Sequence, residues 1–391
     1  MLTSGTSGAV LIQTVRTFKE LEPWAGAWNR LAFQAPQRIP DLSYAWTVSH
    51  LEHQLDASES WFCLLALEGA SLVGILPIVV TPRKRLGRTI THLRTPYNDQ
   101  TASIDCLVQS GRDEEIIPLL LAELSKGEAK WFCLEMRRLP ESSPIMGWIK
   151  KKRKGIRSVS TFDGWGCFVR VQGSLKEFEE KLKPKFRRNL RNTGHKFQTL
   201  KDVKVSLVAG KDLSEEDLHR FMEVESQSWK FEEGSALVQS ESLISFYQAL
   251  TGRLGELGWM EWQILEVEGK PLAVLMTFRI NRSLVTQKIC YDNRYASFSP
   301  GTYLLTKIFE QVFTAQEVDE VNFLTDYPWF YQWPVEKRAY HNLTIYPPRL
   351  FPLLGGYLGM KLRMKGREIS AIRRMVDIGK GLFGRTRRKA T

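Results

Sequence analysis

The sequence predicts an α/β (α+β) fold written twice: two tandem domains, each a mixed, mainly antiparallel sheet flanked by helices. Three observations carry that expectation. The chain has 391 residues, more than one ordinary core fills and suited to two. Two stretches look alike, WFCLLALEGASLVGILPIVVTP from Trp61 and MEWQILEVEGKPLAVLMTFRIN from Met260. Each is an apolar run, an acid-Gly step and a second apolar run, which is the pattern of a β-hairpin. Finally, the segments around the two hairpins follow one order, as a duplicated α/β unit requires.

FKELEPWAGAWNRLAFQ, from Phe18, reads as helical and precedes the first hairpin, whose turn is Glu68-Gly69. RTITHLRTP and ASIDCLV follow as strands, then DEEIIPLLLAELSKG as a helix and KWFCLEM as a strand. In the second half, SEEDLHRFMEVESQSWK and ESLISFYQALTGRLGELG are helices ahead of the second hairpin, whose turn is Glu268-Gly269. The strand LVTQKICYD, the helix GTYLLTKIFEQVFTAQ and the strand EVNFLTD complete it. Between the halves, KKKRKGIRSVSTFDGWGC (150–167) is charged, Gly-bearing and poor in large aliphatics, the composition of a linker or exposed edge. The expected domains are therefore residues 1–155 and 156–348, followed by a basic amphipathic tail, 349–391. In GSLKEFEEKL, Ser174 reads as an N-cap with Glu177 as its capping-box partner, so a helix begins near Leu175 and Pro184 kinks or breaks it.

The net charge of +12 is unevenly placed. Residues 150–201 carry net +12, residues 349–391 net +10, and the remainder therefore net −10. A mildly acidic body with two basic segments points to localised anionic partners. The densest run, KLKPKFRRNLRNTGHKFQTLK (181–201), matches no groove-reading motif, so DNA is not an expected partner. The five Cys form no CxxC pair and stand among apolar residues, as buried reduced thiols do in a cytoplasmic protein. The six His are scattered, and no metal is expected. The N-terminal stretch has no charged region followed by a long apolar run, so no signal peptide is expected, and no apolar stretch reaches the length of a membrane span.

Four stretches in order, FRRNLRNTGHKF from Phe186, SWKFEEGSA from Ser228, YDNRYASFSPGTYLL from Tyr291 and VNFLTDYPWFYQW from Val321, give the chain a family likeness. Each half resembles a GNAT (Gcn5-related N-acyltransferase) domain. The whole, over roughly residues 20–345, resembles the tandem-GNAT, CelD-like acetyltransferases of bacteria, which are associated with cellulose biosynthesis. The sequence departs from that family at one place: its Tyr-Lys pair after the late strand is Tyr331-Gln332 here.

The resemblance implies an acyl-CoA-dependent N-acyltransferase, acetyl by default, acting on an amino group of a small molecule or of a polysaccharide or cell-envelope precursor. Acetyl-CoA is the implied co-substrate. Its pyrophosphate needs a helix N-terminus with free N–H groups, and Ser299-Pro300-Gly301-Thr302-Tyr303 is such a start. Ser299 suits a cap, Pro300 suits N1, and Gly301 lets an anion approach. The first half has no such start in TPYNDQTASID, so the second half is expected to bind the donor. Glu225 and Asp292 are the candidate bases, Tyr331 the acid, and Asp326 the group that orients Tyr331 or binds the acceptor amine. Asp292, Trp229 and Lys230 are candidate acceptor contacts. Arg187, Arg188 and Arg191 are candidates for the CoA 3′-phosphate or an anionic acceptor. The tail, rich in Leu and Met among Lys and Arg, is expected to touch the inner face of a membrane or to dock on the body.

Two other readings share this layout. A Fem-like aminoacyltransferase takes its acyl group from aminoacyl-tRNA and would bind RNA phosphates through the basic segments. A GNAT-fold scaffold without chemistry would use the tail to sit at a membrane synthase.

Overall fold

In the computed structural model, residues 9–85, 87–126, 130–151 and 156–365 are described. The strands are β1 (Val10–Val15), β2 (Ser60–Glu68), β3 (Ser71–Arg85), β4 (Arg88–Arg94), β5 (Leu107–Val108), β6 (Trp131–Pro140), β7 (Arg157–Arg170), β8 (Val203–Ala209), β9 (Met260–Val267), β10 (Lys270–Ile280), β11 (Ser283–Tyr291), β12 (Glu320–Asn322) and β13 (Glu336–Tyr346). The helices of the first half are α1 (Phe18–Leu21), α2 (Ala25–Gln34), α3 (Tyr44–His53), α4 (Asp113–Lys126) and α5 (Pro144–Lys150). Those of the second are α6 (Leu175–Lys181), α7 (Pro184–Gln198), α8 (Glu215–Ser226), α9 (Trp229–Glu232), α10 (Glu241–Glu256) and α11 (Pro300–Ala315), with α12 (Leu350–Pro352) after the last strand.

All but β5 join one sheet in the order β1-β2-β3-β4-β6-β13-β7-β12-β11-β10-β9-β8, with β5 paired to β3. Both expected hairpins form. In β9–β10 the turn residues Glu268 (φ 52°) and Gly269 (φ 75°) are both left-handed, the primed geometry that matches strand twist. The parallel pairs β4–β6 and β11–β12 repeat the strand–helix–strand unit in each half. The capping box of Ser174 and Glu177 opens α6, and Pro184 begins α7 as a separate helix.

The stretch read as a linker or exposed edge is the main correction. Residues 157–170 are β7, which pairs along its length with β13 and at its end with β12 at the centre of the sheet. A further difference is β13, which lies between β6 of the first half and β7. The last strand of the chain thus closes the first half's sheet, and the sheet is continuous across the joint. EVNFLTD and ASIDCLV contribute only short strands, β12 and β5.

The two halves also share side-chain packing. Trp46 of α3 meets Phe246 of α10 edge-on at 5.4 Å and Phe278 of β10 at 5.9 Å. Helices α2, α3, α8 and α10 cover this face of the sheet, whereas α6, α7 and α11 cover the opposite face of the second half. The five cysteines are free and buried.

Of the expected tail, residues 366–391 lie outside the described residues. The rest docks on the sheet at β6, β13 and β7: α12 runs on through a π-helical turn, Leu353–Leu358. Gly356 presses so closely on the sheet that a Cβ there would stand 2.5 Å from Tyr346 Cε1 and 2.9 Å from Phe132 Cζ. Gly356→Leu should therefore cost about 1–3 kcal/mol in urea unfolding, as the helix is pushed off its seat.

Candidate active site

The two strands at the heart of the second half pair only briefly. β11 and β12 are in register from Ser283–Glu320 to Val285–Asn322 and then part. β11 continues alone against β10 to Tyr291, with a register shift between Met276 and Thr277 that sets Lys288 opposite Met276. Such a bulge re-aims side chains and ends regular pairing. On the parting strands, Asn322 Nδ2 and Gln287 Oε1 are buried without partners among the described residues. Gln287 Nε2 donates to the carbonyl of Gln100, 2.6 Å away, so a residue of the first half borders the opening.

Helix α11 begins beside the unpaired end of β11. A Cβ on Gly301 would lie 3.1 Å from Ile289 Cδ1, so the glycine serves close helix–strand packing. Ser299 is a correction: its backbone is left-handed (φ 55°, ψ 55°) and its side chain makes no cap hydrogen bond. Tyr303 N–H donates to the Ser299 carbonyl and Pro300 has no N–H, which leaves the N–H groups of Gly301 and Thr302 as the helix's free donors. Asp292 caps the turn ahead of the helix, with both carboxylate oxygens held by Arg294. Those bonds outweigh burial and keep its carboxyl below the usual range.

The basic helix α7 packs alongside. Phe197 lies 4.3 Å from Tyr303, ring to ring, and Phe186 meets Trp333 at 4.9 Å. A cavity of about 440 Å³ opens between Asn192, His195, Lys196 and Thr199 of the α7 end and Ser297-Phe298 before α11. Arg188, Asn192, His195 and Thr199 are spaced four, three and four apart, so Arg188 extends the same helical stripe. Arg188 and Arg191 are exposed and Arg187 is half-buried. Among the described residues, none of the three has an ion pair.

On the α11 face stands a second group. Tyr331 Oη donates to Asp326 Oδ1 at 2.7 Å and accepts from Lys337 Nζ at 2.8 Å, while Lys337 also reaches Asp326 Oδ2 at 3.0 Å. Cys167 Sγ donates to Asp326 Oδ1 at 3.1 Å. Burial raises the Asp326 carboxyl, but its bonds from Tyr331, Cys167 and Lys337 prevail and hold it below the usual range. Tyr331 and Asp326 hold the Lys337 ammonium above its usual range. Lys337 was not anticipated. It comes from β13, set opposite Cys167 by strand register, and it puts a lysine beside Tyr331 where the sequence has Gln332.

Glu225 and Lys230 sit on the other face. Glu225 is fully buried on α8; it accepts from Leu237 N–H at 2.6 Å and from Lys230 Nζ at 3.3 Å, with Lys288 Nζ at 3.9 Å. Trp229 packs on Tyr291 at 4.9 Å. No hydrogen bond or ion pair among the described residues joins Glu225 to Tyr331 or Asp326. Lys288 also lay outside the expected set, although a lysine within the apolar strand TQKICY was a visible signal. It is buried under Tyr247, whose ring centre is 5.4 Å from Nζ. Burial pushes its ammonium down to about 8, aided by Lys230 and opposed by Glu225. The unfolded ammonium titrates near ~10.4. Between those values the unfolded state binds more protons, so this contribution to stability rises with pH. Urea unfolding at pH 7.5 and 9.5 should show a gain of about 2 kcal/mol in the native chain relative to Lys288→Met.

The first half holds a polar cleft of about 340 Å³ between Arg83, Arg94, Arg137, Glu59 and Glu135. Arg94 is held there by Glu59 at 2.8 Å. Beside it His92, Cys133 and Glu135 bring three donor atoms within 4.8 Å of one another, a grouping hidden by the scatter of His in the sequence. Cys133 Sγ is 3.4 and 3.5 Å from the two ring nitrogens of His92, so neither nitrogen is singled out toward it. Arg83 and Arg85 add positive charge at the same place. These features do not favour a bound cation.

Residues 184–331 match the family model of the acetyltransferase (GNAT) domain. No curated protein is matched. Among solved structures, FemX superposes with a TM-score of 0.60 at 9% identity, covering 88% of this chain and 99% of its own. A conserved protein of unknown function from Bacteroides thetaiotaomicron gives 0.52 at 12% identity, covering 86% and 100%. The C-terminal domain of a putative lysylphosphatidylglycerol synthetase from Agrobacterium fabrum gives 0.51 at 9%, covering 83% and 92%. The fold is thus α/β, and the stretch similar to a GNAT domain lies in the second half.

Proposed function

We propose that the chain is an acyltransferase that moves an acyl group, acetyl by default, from acyl-CoA to an amine at the opening between β11 and β12. The observation that carries this reading is the parting of those strands beside the free N–H groups of α11. A thioester arm needs an extended slot with unpaired backbone partners, and a pyrophosphate needs free helix donors. The residues fit both needs: β11 is unpaired on its β12 side beyond Val285, and Asn322 Nδ2 is a buried donor without a partner. His195, Lys196 and Arg188 then border the outer end of the donor.

In the transfer, the amine nitrogen attacks the thioester carbonyl, the C–N bond forms and the C–S bond breaks. The departing thiolate takes the proton of Tyr331, with Lys337 steadying the phenolate and Asp326 fixing the hydroxyl. The amine's proton passes to the opposite side of the sheet. There Lys288 is the acceptor in its free-amine form, which burial makes accessible near neutrality, and Glu225 holds it in place with Lys230. Within this reading we favour the CelD-like tandem acetyltransferases, whose ordered motifs all fall in the half that carries the donor features. The acceptor would be an amino group on a small molecule or a cell-envelope precursor.

Thr302→Glu tests the donor site. A carboxylate in the first turn of α11 suits the helix dipole and repels phosphate. Calorimetry should find acetyl-CoA binding to the native chain, and at least about tenfold weaker binding to the variant, with an unchanged Tm. Equal binding by both would move the donor elsewhere. A second reading, an aminoacyl donor carried on tRNA, draws on the unpaired arginines of α7. It would show as steeply salt-dependent tRNA binding without acetyl-CoA binding.

A further inference from the structure

We propose that the C-terminal helix, together with the neighbouring end of the β3–β4 hairpin, is a docking surface for an anionic lipid bilayer. This surface lies over β6, β13 and the β3–β4 hairpin, apart from the acyl-transfer site.

The helix shows two apolar faces. Its inner face is pinned: Gly356 lies against Tyr346 and Phe132, Phe351 meets Phe132 at 5.6 Å, and Tyr346 Oη donates to Met360 Sδ at 3.4 Å. Arg85, in the hairpin, donates to the Gly355 carbonyl. A helix held this way cannot roll to hide its other side. That side carries Leu354 (56% exposed), Leu358 (45%) and Leu362 (70%), each four residues from the next. Leucines are rarely left in such a row on a soluble surface without a partner.

Charge identifies the partner. Lys361, Arg363 and Lys365 are exposed around the leucines, and Arg83, Lys84 and Arg88 are exposed on the hairpin tied to the helix. No acidic residue occurs from 349 to 367 or from 81 to 94. A protein partner for three leucines would ordinarily balance so much positive charge with acidic groups of its own. An anionic bilayer supplies both needs at once, an acyl layer for the leucines and headgroup phosphates for the basic rim. Among the described residues no helix is long and apolar enough to cross a membrane, so the contact is peripheral.

The test is co-sedimentation of the full chain with phosphatidylcholine vesicles, and with vesicles in which about one quarter of the lipid is phosphatidylglycerol. The expected result is binding to the anionic vesicles only, weakened by salt. A variant carrying Leu354→Glu, Leu358→Glu and Leu362→Glu should bind at least about tenfold more weakly with an unchanged Tm. Three results would overturn the proposal. Folded native protein could ignore anionic vesicles. The triple variant could bind as well as the native chain, which would leave only diffuse charge. Light scattering could show a native dimer that the variant dissolves, which would make the leucines a self-interface.

Discussion

Tyr331→Phe should lower the turnover of acyl transfer by about 10²–10⁴-fold, with little change in acetyl-CoA affinity. The hydroxyl is the centre of a closed set: it donates to Asp326 and accepts from Lys337, and Cys167 supports Asp326 from β7. Removing only the oxygen leaves the ring and its loop in place, because Phe330 and Trp333, not Tyr331, fill the core there. The loss should therefore fall on kcat, measured by thiol release with an amine acceptor. A companion Lys337→Met should lose activity too, since nothing then steadies the phenolate. If Tyr331→Phe retained full turnover, the leaving thiolate would draw its proton from elsewhere.

Glu225→Ala should destabilise the second half strongly, by about 3–5 kcal/mol. Its carboxylate is fully buried and engages Lys230, Lys288 and the Leu237 N–H together. Truncation would strand Lys288 as a buried charge and orphan a backbone donor. Glu225→Gln keeps a carbonyl for Leu237 and should cost less. Denaturant unfolding of the two variants separates the charge from the hydrogen bond. A Glu225→Ala protein as stable as the native one would show that water reaches Lys288 freely.

These two residues show how far the sequence could be read. Glu225 and Tyr331 could be named as candidates because each stands beside a legible feature: an acid late in an amphipathic helix, and an aromatic after a strand where the family likeness places a tyrosine. The hairpins were visible for the same reason, since acid-Gly between apolar runs is decided within a few residues. Lys337 was not. Its nearness to Tyr331 depends on β13 lying against β7, a pairing between residues far apart in the chain that no local periodicity reports. β7 itself was mistaken for a linker or exposed edge because its Ser, Thr, Gly and Asp content is that of a loop, and Phe162 and Trp165 remain exposed on it. Its strand form comes from being flanked on both sides. α3 escaped notice for the opposite reason: it is buried on nearly every side, including Thr47, Ser49 and His50, and so lacks a polar stripe. At Ser299 the start of α11 was placed correctly but its cap was not, since the left-handed backbone takes the side chain away from the first turn.

Hydrogen exchange of the full chain with and without acetyl-CoA is the most direct measurement of where the donor lies. The predicted result is new protection at the unpaired edge of β11, residues 286–291, and at Gly301 and Thr302, with the first half unchanged. Protection confined to the cleft around Arg83 and Arg137, or none at saturating acetyl-CoA, would contradict a donor site between β11 and β12.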